Sequence, residues 1–221
     1  MIIAIDGPAG AGKSTISRLL AQRLGFVRID TGALYRAVAL AALRAGVAPT
    51  DGARLADLVS GLDLTLTISG IRLGDEDVST AIRAPEIGLA ASTYAAVPAV
   101  RAGLMDLQRR LGRSHDSVMD GRDIGTVVFP DADAKIYLTA SAEARAGRRH
   151  RELMTDGHPA DLDVVLREIR QRDHQDTTRA IAPLRQAGDA TVIDATDLDI
   201  EGAVSACLQV VEAIRERRAQ K

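Results

Sequence analysis

The chain has 221 residues, with 28 Lys+Arg against 30 Asp+Glu and a formal net charge of -2. An apolar fraction of 46% is too high for a disordered chain, and an aromatic content of 2% cannot build the stacking platforms of single-strand binders. Near-neutral charge argues against a general DNA or RNA binder, which needs a net basic face.

At roughly 150 residues per domain, the length suggests one domain with insertions or two small domains. Cys207 stands alone, so no intrachain disulfide forms. It shares apolar spacing with Val204, Leu208 and Val211, as a core helix residue would. No run of about 18 apolar residues offers a membrane span. The start, Met1 to Gly7, turns acidic too soon for a signal peptide. A soluble, intracellular protein is expected. Of the 28 basic residues only Lys13, Lys135 and Lys221 are lysine, leaving 25 arginines. Composition bias accounts for much of that skew, but the placing of so few lysines is informative.

In chain order, Ile2-Ile3-Ala4-Ile5 is a short continuous apolar run, as in a strand buried on both faces. A Gly-rich turn from Gly7 to Gly12 follows. Ile16, Leu19, Leu20 and Leu24 then give helical spacing, closed by Gly25. Residues 26–30 read as a second strand and 33–45 as a second helix, stopped by Gly46. Strand, helix, strand, helix opens an α/β fold. The middle differs. Leu62 to Ile68 alternates with period two, Ser69-Gly70 follows, then Ile71-Arg72-Leu73, which is a hairpin signal. Residues 84–112 are helical, with a break near Pro98. Strands are expected at 117–120, 134–138 and 190–194, and helices at 142–154, 161–177 and about 200–218. The expected organisation is a single domain over 1–221. A core of 1–54 and 101–221 carries an insertion at 55–100 and a helical lid at 145–160.

Gly7-Pro8-Ala9-Gly10-Ala11-Gly12-Lys13-Ser14 matches the phosphate-loop pattern G-x-x-x-x-G-K-[ST], after a strand and before a helix. Glycines let the backbone wrap phosphate oxygens and aim N–H groups inward. The helix N-terminus adds partial positive charge. Lys13 can reach the β- and γ-phosphates, and Ser14 supplies a hydroxyl for Mg²⁺. One of three lysines falls here in a chain that otherwise uses arginine.

Three further clusters narrow the reaction. Asp30-Thr31-Gly32-Ala33-Leu34-Tyr35-Arg36 begins at the carboxyl end of strand two, where ligands gather in open α/β sheets. Asp120-Gly121-Arg122-Asp123-Ile124-Gly125-Thr126 ends the next core strand. Arg172, Asp176 and Arg179, spaced i, i+4, i+7, share a helix face. Arg145, Arg148, Arg149 and Arg151 form a weaker group. One phosphate loop with many arginines fits transfer of a γ-phosphoryl group to a second phosphate. That reaction is mostly positioning and charge neutralisation, and arginine grips phosphate bidentately. Guanine-specific switches carry Asn-Lys-x-Asp, which is missing. The alternatives left open are another small-acceptor kinase, for UMP, AMP or shikimate, and a nucleotide-binding regulatory ATPase.

Over essentially its whole length the chain resembles the bacterial cytidylate kinase family. The resemblance is carried by Ile5 to Thr15, Asp30 to Arg36, Asp120 to Pro130, and Arg172-Asp173 through Arg179-Ala180-Ile181-Ala182-Pro183-Leu184. It implies a nucleoside monophosphate kinase fold: a five-stranded parallel sheet flanked by helices, a small β-containing CMP-binding insertion and a helical lid. It implies transfer from ATP, with Mg²⁺, to CMP and dCMP in a cytoplasmic monomer without nucleic-acid or membrane partners. The resemblance assigns Arg36, Arg122 and Arg179 to the acceptor phosphate, and Arg172 and Asp176 to the ribose. Ser92, Arg101 and Asp123 would read the cytosine, with Asp30 and Thr31 nearby. Lys13, Arg122, Arg179 and Arg148 would serve catalysis. Arg145, Arg148 and Arg149 would belong to the lid over the ATP phosphates, beside the loop Gly7 to Thr15. Either Ser14 or Thr15 would face the metal. A carboxylate accepts from the cytosine N4 amino group and meets the uracil carbonyl unfavourably. Tyr35 is the aromatic residue available for stacking.

Overall fold

The computed structural model describes residues 1–67, 70–155 and 157–220. Ile68 and Ser69 of the expected hairpin, Asp156 of the expected lid and the terminal Lys221 lie outside the described residues. In chain order the elements are β1 (Ile2–Asp6), α1 (Lys13–Leu24), β2 (Val27–Asp30), α2 (Thr31–Arg44) and α3 (Gly52–Gly61). Then come β3 (Leu64–Leu66), β4 (Ile71–Leu73), β5 (Glu76–Asp77), α4 (Pro85–Ala95) and α5 (Pro98–Ser114). The chain ends with β6 (Ser117–Gly121), β7 (Ala134–Thr139), α6 (Ala142–Thr155), α7 (Leu162–Thr178), β8 (Thr191–Asp194) and α8 (Ile200–Ala219). Strands β2-β6-β1-β7-β8 form a five-stranded sheet, in that order, and β3-β4-β5 a small antiparallel one.

The chain divides into two units, Met1–Val27 with His115–Lys221, and Arg28–Ser114. In the first, β1 pairs in parallel with β6 and β7, and β7 with β8. Parallel strands covered on both faces read as unbroken apolar runs. Ile3, Ala4 and Ile5 are accordingly fully buried, as are Val118, Met119 and Leu138. Ile16 and Leu20 of α1, and Val204, Cys207 and Val211 of α8, join the same core. Cys207 is therefore the core helix residue that its spacing implied. Gly25 ends α1 at φ 69, and the Phe26 N–H returns to the Ala21 carbonyl at 2.9 Å.

The second unit has its own core, in which Leu34, Val38, Leu55, Ile71, Val100 and Leu104 meet. It is wider than the 55–100 stretch expected for an insertion, because α2 packs its apolar face here. Helix α3 was not anticipated, although Asp51 caps it by accepting from the Arg54 N–H at 3.1 Å and Leu55 and Val59 repeat at i, i+4. Among the described residues no single helix is long and apolar enough to cross a membrane. The pair α4 and α5 comes nearest, but bends by 97° at its break and supplies Ile87, Tyr94, Val100 and Leu104 to this core.

Candidate active site

The phosphate loop leaves the carboxyl end of β1 and opens α1 at Lys13. Gly7 and Gly12 take φ of 153 and 91, which side-chain-bearing residues rarely adopt. A Cβ on Gly7 would also run into the Leu138 backbone carbonyl. Lys13 is 7% exposed, and its Nζ donates to the carbonyl oxygens of Gly7 and Pro8 at 2.8 and 2.7 Å. Burial pushes the Lys13 ammonium well below its ordinary range, and the nearby Arg122 cation adds to this; Asp120 and Asp176 oppose it. A ligand rich in negative charge would relieve that crowding of cations, as a polyphosphate does.

Asp120 is the last residue but one of β6, beside α1. The Ser17 Oγ donates to one of its oxygens at 2.6 Å and the Ser14 Oγ to the other at 3.3 Å. A serine hydroxyl at the head of the helix and a carboxylate at the end of the adjacent strand are hard oxygen donors. That donor set suits Mg²⁺, which takes one or two protein oxygens and completes its shell with water and substrate phosphates. No group of three His, Cys, Asp or Glu able to hold a metal exists among the described residues. Ser14, not Thr15, is the hydroxyl tied to this acid.

Around the loop stand the charged residues of the third and fourth motifs. The Arg122 Nε donates to Asp176 at 2.7 Å. Burial alone would raise the Asp176 carboxyl, yet Arg122, Arg172 and Arg179 hold it below the usual carboxylate range. Arg179 donates through Nε and Nη2 to the Ala182 carbonyl at 2.8 and 2.5 Å, and lies 3.6 Å from Asp123 and 3.7 Å from Asp176. Ala182 holds that carbonyl from a left-handed backbone, φ 49, unusual for a residue with a Cβ. The expected residues Lys13, Ser14, Arg122, Asp123, Arg172, Asp176 and Arg179 thus all belong to the first unit, in one network of charges.

The lid arginines are differently employed. Arg145 is 5% exposed; it donates to the carbonyls of Ala140 at 2.8 Å and Ala9 at 2.9 Å and pairs with Asp173 at 2.7 Å. It braces α6 and α7 against the loop backbone. Arg148 donates to the Ala195 carbonyl at 2.5 Å, beyond the end of β8. Arg149 sits at the surface, paired with Glu152 at 2.8 Å. Lys135, which needs no site explanation from its sequence position, reaches Asp189 at 2.8 Å.

In the second unit, Asp30 caps α2 by accepting from the Ala33 N–H at 2.9 Å and pairs with Arg28 at 3.1 Å and Arg36 at 3.3 Å. Burial would raise its carboxyl, but Arg36 and Arg28 lower it. Thr31 is buried behind this cap. Arg101 is 3% exposed; its guanidinium lies 5.3 Å from the Tyr35 ring centroid and donates to the Ala95 carbonyl at 3.2 Å. The Tyr35 ring expected to be free for stacking is therefore buried in the core and faced by Arg101. Ser92 is half-buried on α4.

The family model for cytidylate kinase matches residues 3–213. The chain belongs to the cytidylate kinase family. It is 50% identical, over its whole length and 95% of the relative's, to a cytidylate kinase of Geobacter sp. (strain M21). It is 49% identical to one from Exiguobacterium sp. (strain ATCC BAA-1283 / AT1b), over 96% of this chain and 97% of that protein. Among solved structures, shikimate kinase from Bacteroides thetaiotaomicron matches with a TM-score of 0.51 at 14% identity, over 96% of this chain and 98% of that one. An uncharacterized protein from Eubacterium ventriosum ATCC 27560 matches at 0.52 and 13% identity, over 96% and 98%. At such identities these structures establish the shared fold alone.

Asp6 and Asp120 fall inside the quoted motifs but were not among the expected site residues. Asp120 was visible as a carboxylate closing an apolar strand. Asp6, 5% exposed, accepts from the backbone N–H groups of Ile124 and Gly125 at 2.9 and 2.7 Å. The only sequence signal for Asp6 is an acid ending a buried strand.

Proposed function

We propose that this enzyme transfers the γ-phosphoryl group of ATP to CMP and to dCMP, releasing ADP with CDP or dCDP. The observation that carries the reading is the set Arg122, Asp123, Asp176 and Arg179 gathered beside the phosphate-loop lysine in a chain of the cytidylate kinase family. In this reading an acceptor phosphate oxygen forms the new bond to the γ-phosphorus, and the bond from that phosphorus to the β,γ-bridging oxygen breaks. Lys13 leaves its loop carbonyls for the transferring group and neutralises the charge that develops there. Arg122, Arg179 and Arg36 hold the acceptor phosphate, Arg172 and Asp176 the ribose, and Asp123, Arg101 and Ser92 the cytosine. Asp30 and Thr31 shape the start of α2 at that site. Ser14 and Asp120 would hold Mg²⁺, which would supply charge neutralisation at the donor phosphates. Gly7 to Thr15 cradles the ATP phosphates, and Arg148 and Arg149 cover them, with Arg145 fixing the lid helix. The enzyme works in the cytoplasm, where its nucleotides are, as a monomer without nucleic-acid or membrane partners.

The test is an ADP-release assay across CMP, dCMP, UMP, AMP and shikimate. CMP and dCMP should turn over fastest. UMP turning over faster than CMP overturns the reading, and ATP hydrolysis indifferent to every acceptor points to a regulatory ATPase instead.

A further inference from the structure

Helix α7 ends at Thr178, and Arg179 turns the chain away from it at φ -58 and ψ 142. Five residues later the chain is back. The Leu184 N–H donates to the Asp176 carbonyl at 2.7 Å, and the Leu184 side chain is buried. That bond satisfies one of the last carbonyls of α7. Inside the loop Ala182 takes φ 49, the one positive φ outside glycine among the described residues. Two local rules oppose it. In left-handed backbone a Cβ crowds the following carbonyl oxygen. Pro183 also drives the residue before it toward extended backbone. What this conformation delivers is one carbonyl oxygen, which accepts from Arg179 Nε at 2.8 Å and Nη2 at 2.5 Å.

We propose that Ala182 is a positioning residue for the acceptor phosphate: its left-handed backbone aims the carbonyl that orients the Arg179 guanidinium. This rests on the reading that Arg179 holds the phosphate of CMP.

Three features support it. Two donors of one rigid, planar fork on a single oxygen fix the plane of the guanidinium. The Arg179 side chain, 7% exposed, is therefore set before any nucleotide arrives, and binding does not have to order it. Strained backbone persists only where its surroundings hold it, and it gathers at functional sites. Here α7 holds one side of the loop, and buried Leu184 with its bond to Asp176 holds the other. Ala182 is also half-buried and lines an open cavity of about 510 Å³, so a larger side chain there tests the backbone more than the packing.

Ala182→Val puts a β-branched residue where a positive φ is a genuine outlier, which should turn the carbonyl off Arg179. The expected result is a CMP KM raised about tenfold, with the ATP KM within about twofold. Cytidine, which lacks the phosphate, should compete with CMP with an inhibition constant within about twofold of wild type. Ala182→Gly accepts the left-handed backbone and should restore the CMP KM to within about threefold of wild type. Where the Val variant does not fold, the wild type decides. Its Arg179 Nε–H resonance, assigned by its loss in Arg179→Lys, should exchange slowly with water in the nucleotide-free enzyme, and fast exchange overturns the proposal. An unchanged CMP KM in Ala182→Val, parallel losses for CMP and cytidine, or a Gly variant as impaired as the Val variant overturns the Ala182 role while the CMP kinase reading stands. A wild-type enzyme that does not phosphorylate CMP overturns that reading and this proposal with it.

Discussion

Lowering the pH from 7 to 5 should stabilise the protein through Asp6 while many carboxylates act the other way. The folded carboxyl keeps its proton up to about pH 6 because burial penalises the charge and Asp123 adds to it, opposed by Lys13 and the two N–H bonds; the unfolded group titrates near 3.8. Between those values the folded state binds more protons, so stability rises as pH falls through 6 and levels off below 3.8. The full span, at 1.36 kcal/mol per unit, is about 3 kcal/mol. Between pH 7 and pH 5 the wild type should gain about 1 kcal/mol relative to Asp6→Asn, which cannot titrate. The pH-independent cost of the substitution and the titrations of all other groups cancel in that difference. Urea unfolding followed by far-UV circular dichroism suits a chain with three tyrosines and no tryptophan. A wild-type-minus-variant difference that stays constant between the two pH values, or moves against the wild type as pH falls, refutes the burial argument.

Three further outcomes are expected. Lys13→Ala should lower kcat by about a hundredfold or more while CMP affinity by calorimetry stays within a few-fold; activity retained within a few-fold removes Lys13 from the reacting phosphate. Arg101→Ala should raise the CMP KM with the ATP KM unchanged, and an unmoved CMP KM argues against a cytosine role for this buried guanidinium. Ser17→Ala deletes a fully buried hydroxyl that donates to Asp120 at 2.6 Å. It should cost about 1.5–3 kcal/mol of stability and raise the Mg²⁺ concentration for half-maximal activity. An unchanged Mg²⁺ requirement separates Asp120 from the metal.

Most of the fold was legible because its signals are local. Continuous apolar runs marked β1, β6 and β7, and a phosphate-loop pattern correctly placed the turn between β1 and α1. The elements that escaped are those with weak periodicity. Helix α3 is short, with a serine and two glycines in ten residues. The Ile124–Val128 turn has no repeat to detect, since its conformation depends on Asp6 capping it from another strand.

Composition and spacing alone picked out one lysine inside a phosphate-loop pattern and a subset of the arginines as its expected partners. Lys135 pairs with Asp189, and Cys207 lies in the core, as its spacing implied. Tertiary structure alone decided how the charges are shared out. Arg145 serves the Ala9 carbonyl and Asp173, Arg101 faces the Tyr35 ring, and Arg179 rests on a strained Ala182. Asp6 and Asp120 emerged as the acids that anchor the loop segments. The physical reason is that a motif states which groups are available, whereas burial obliges each of them to find a partner, and those partners lie far away along the chain.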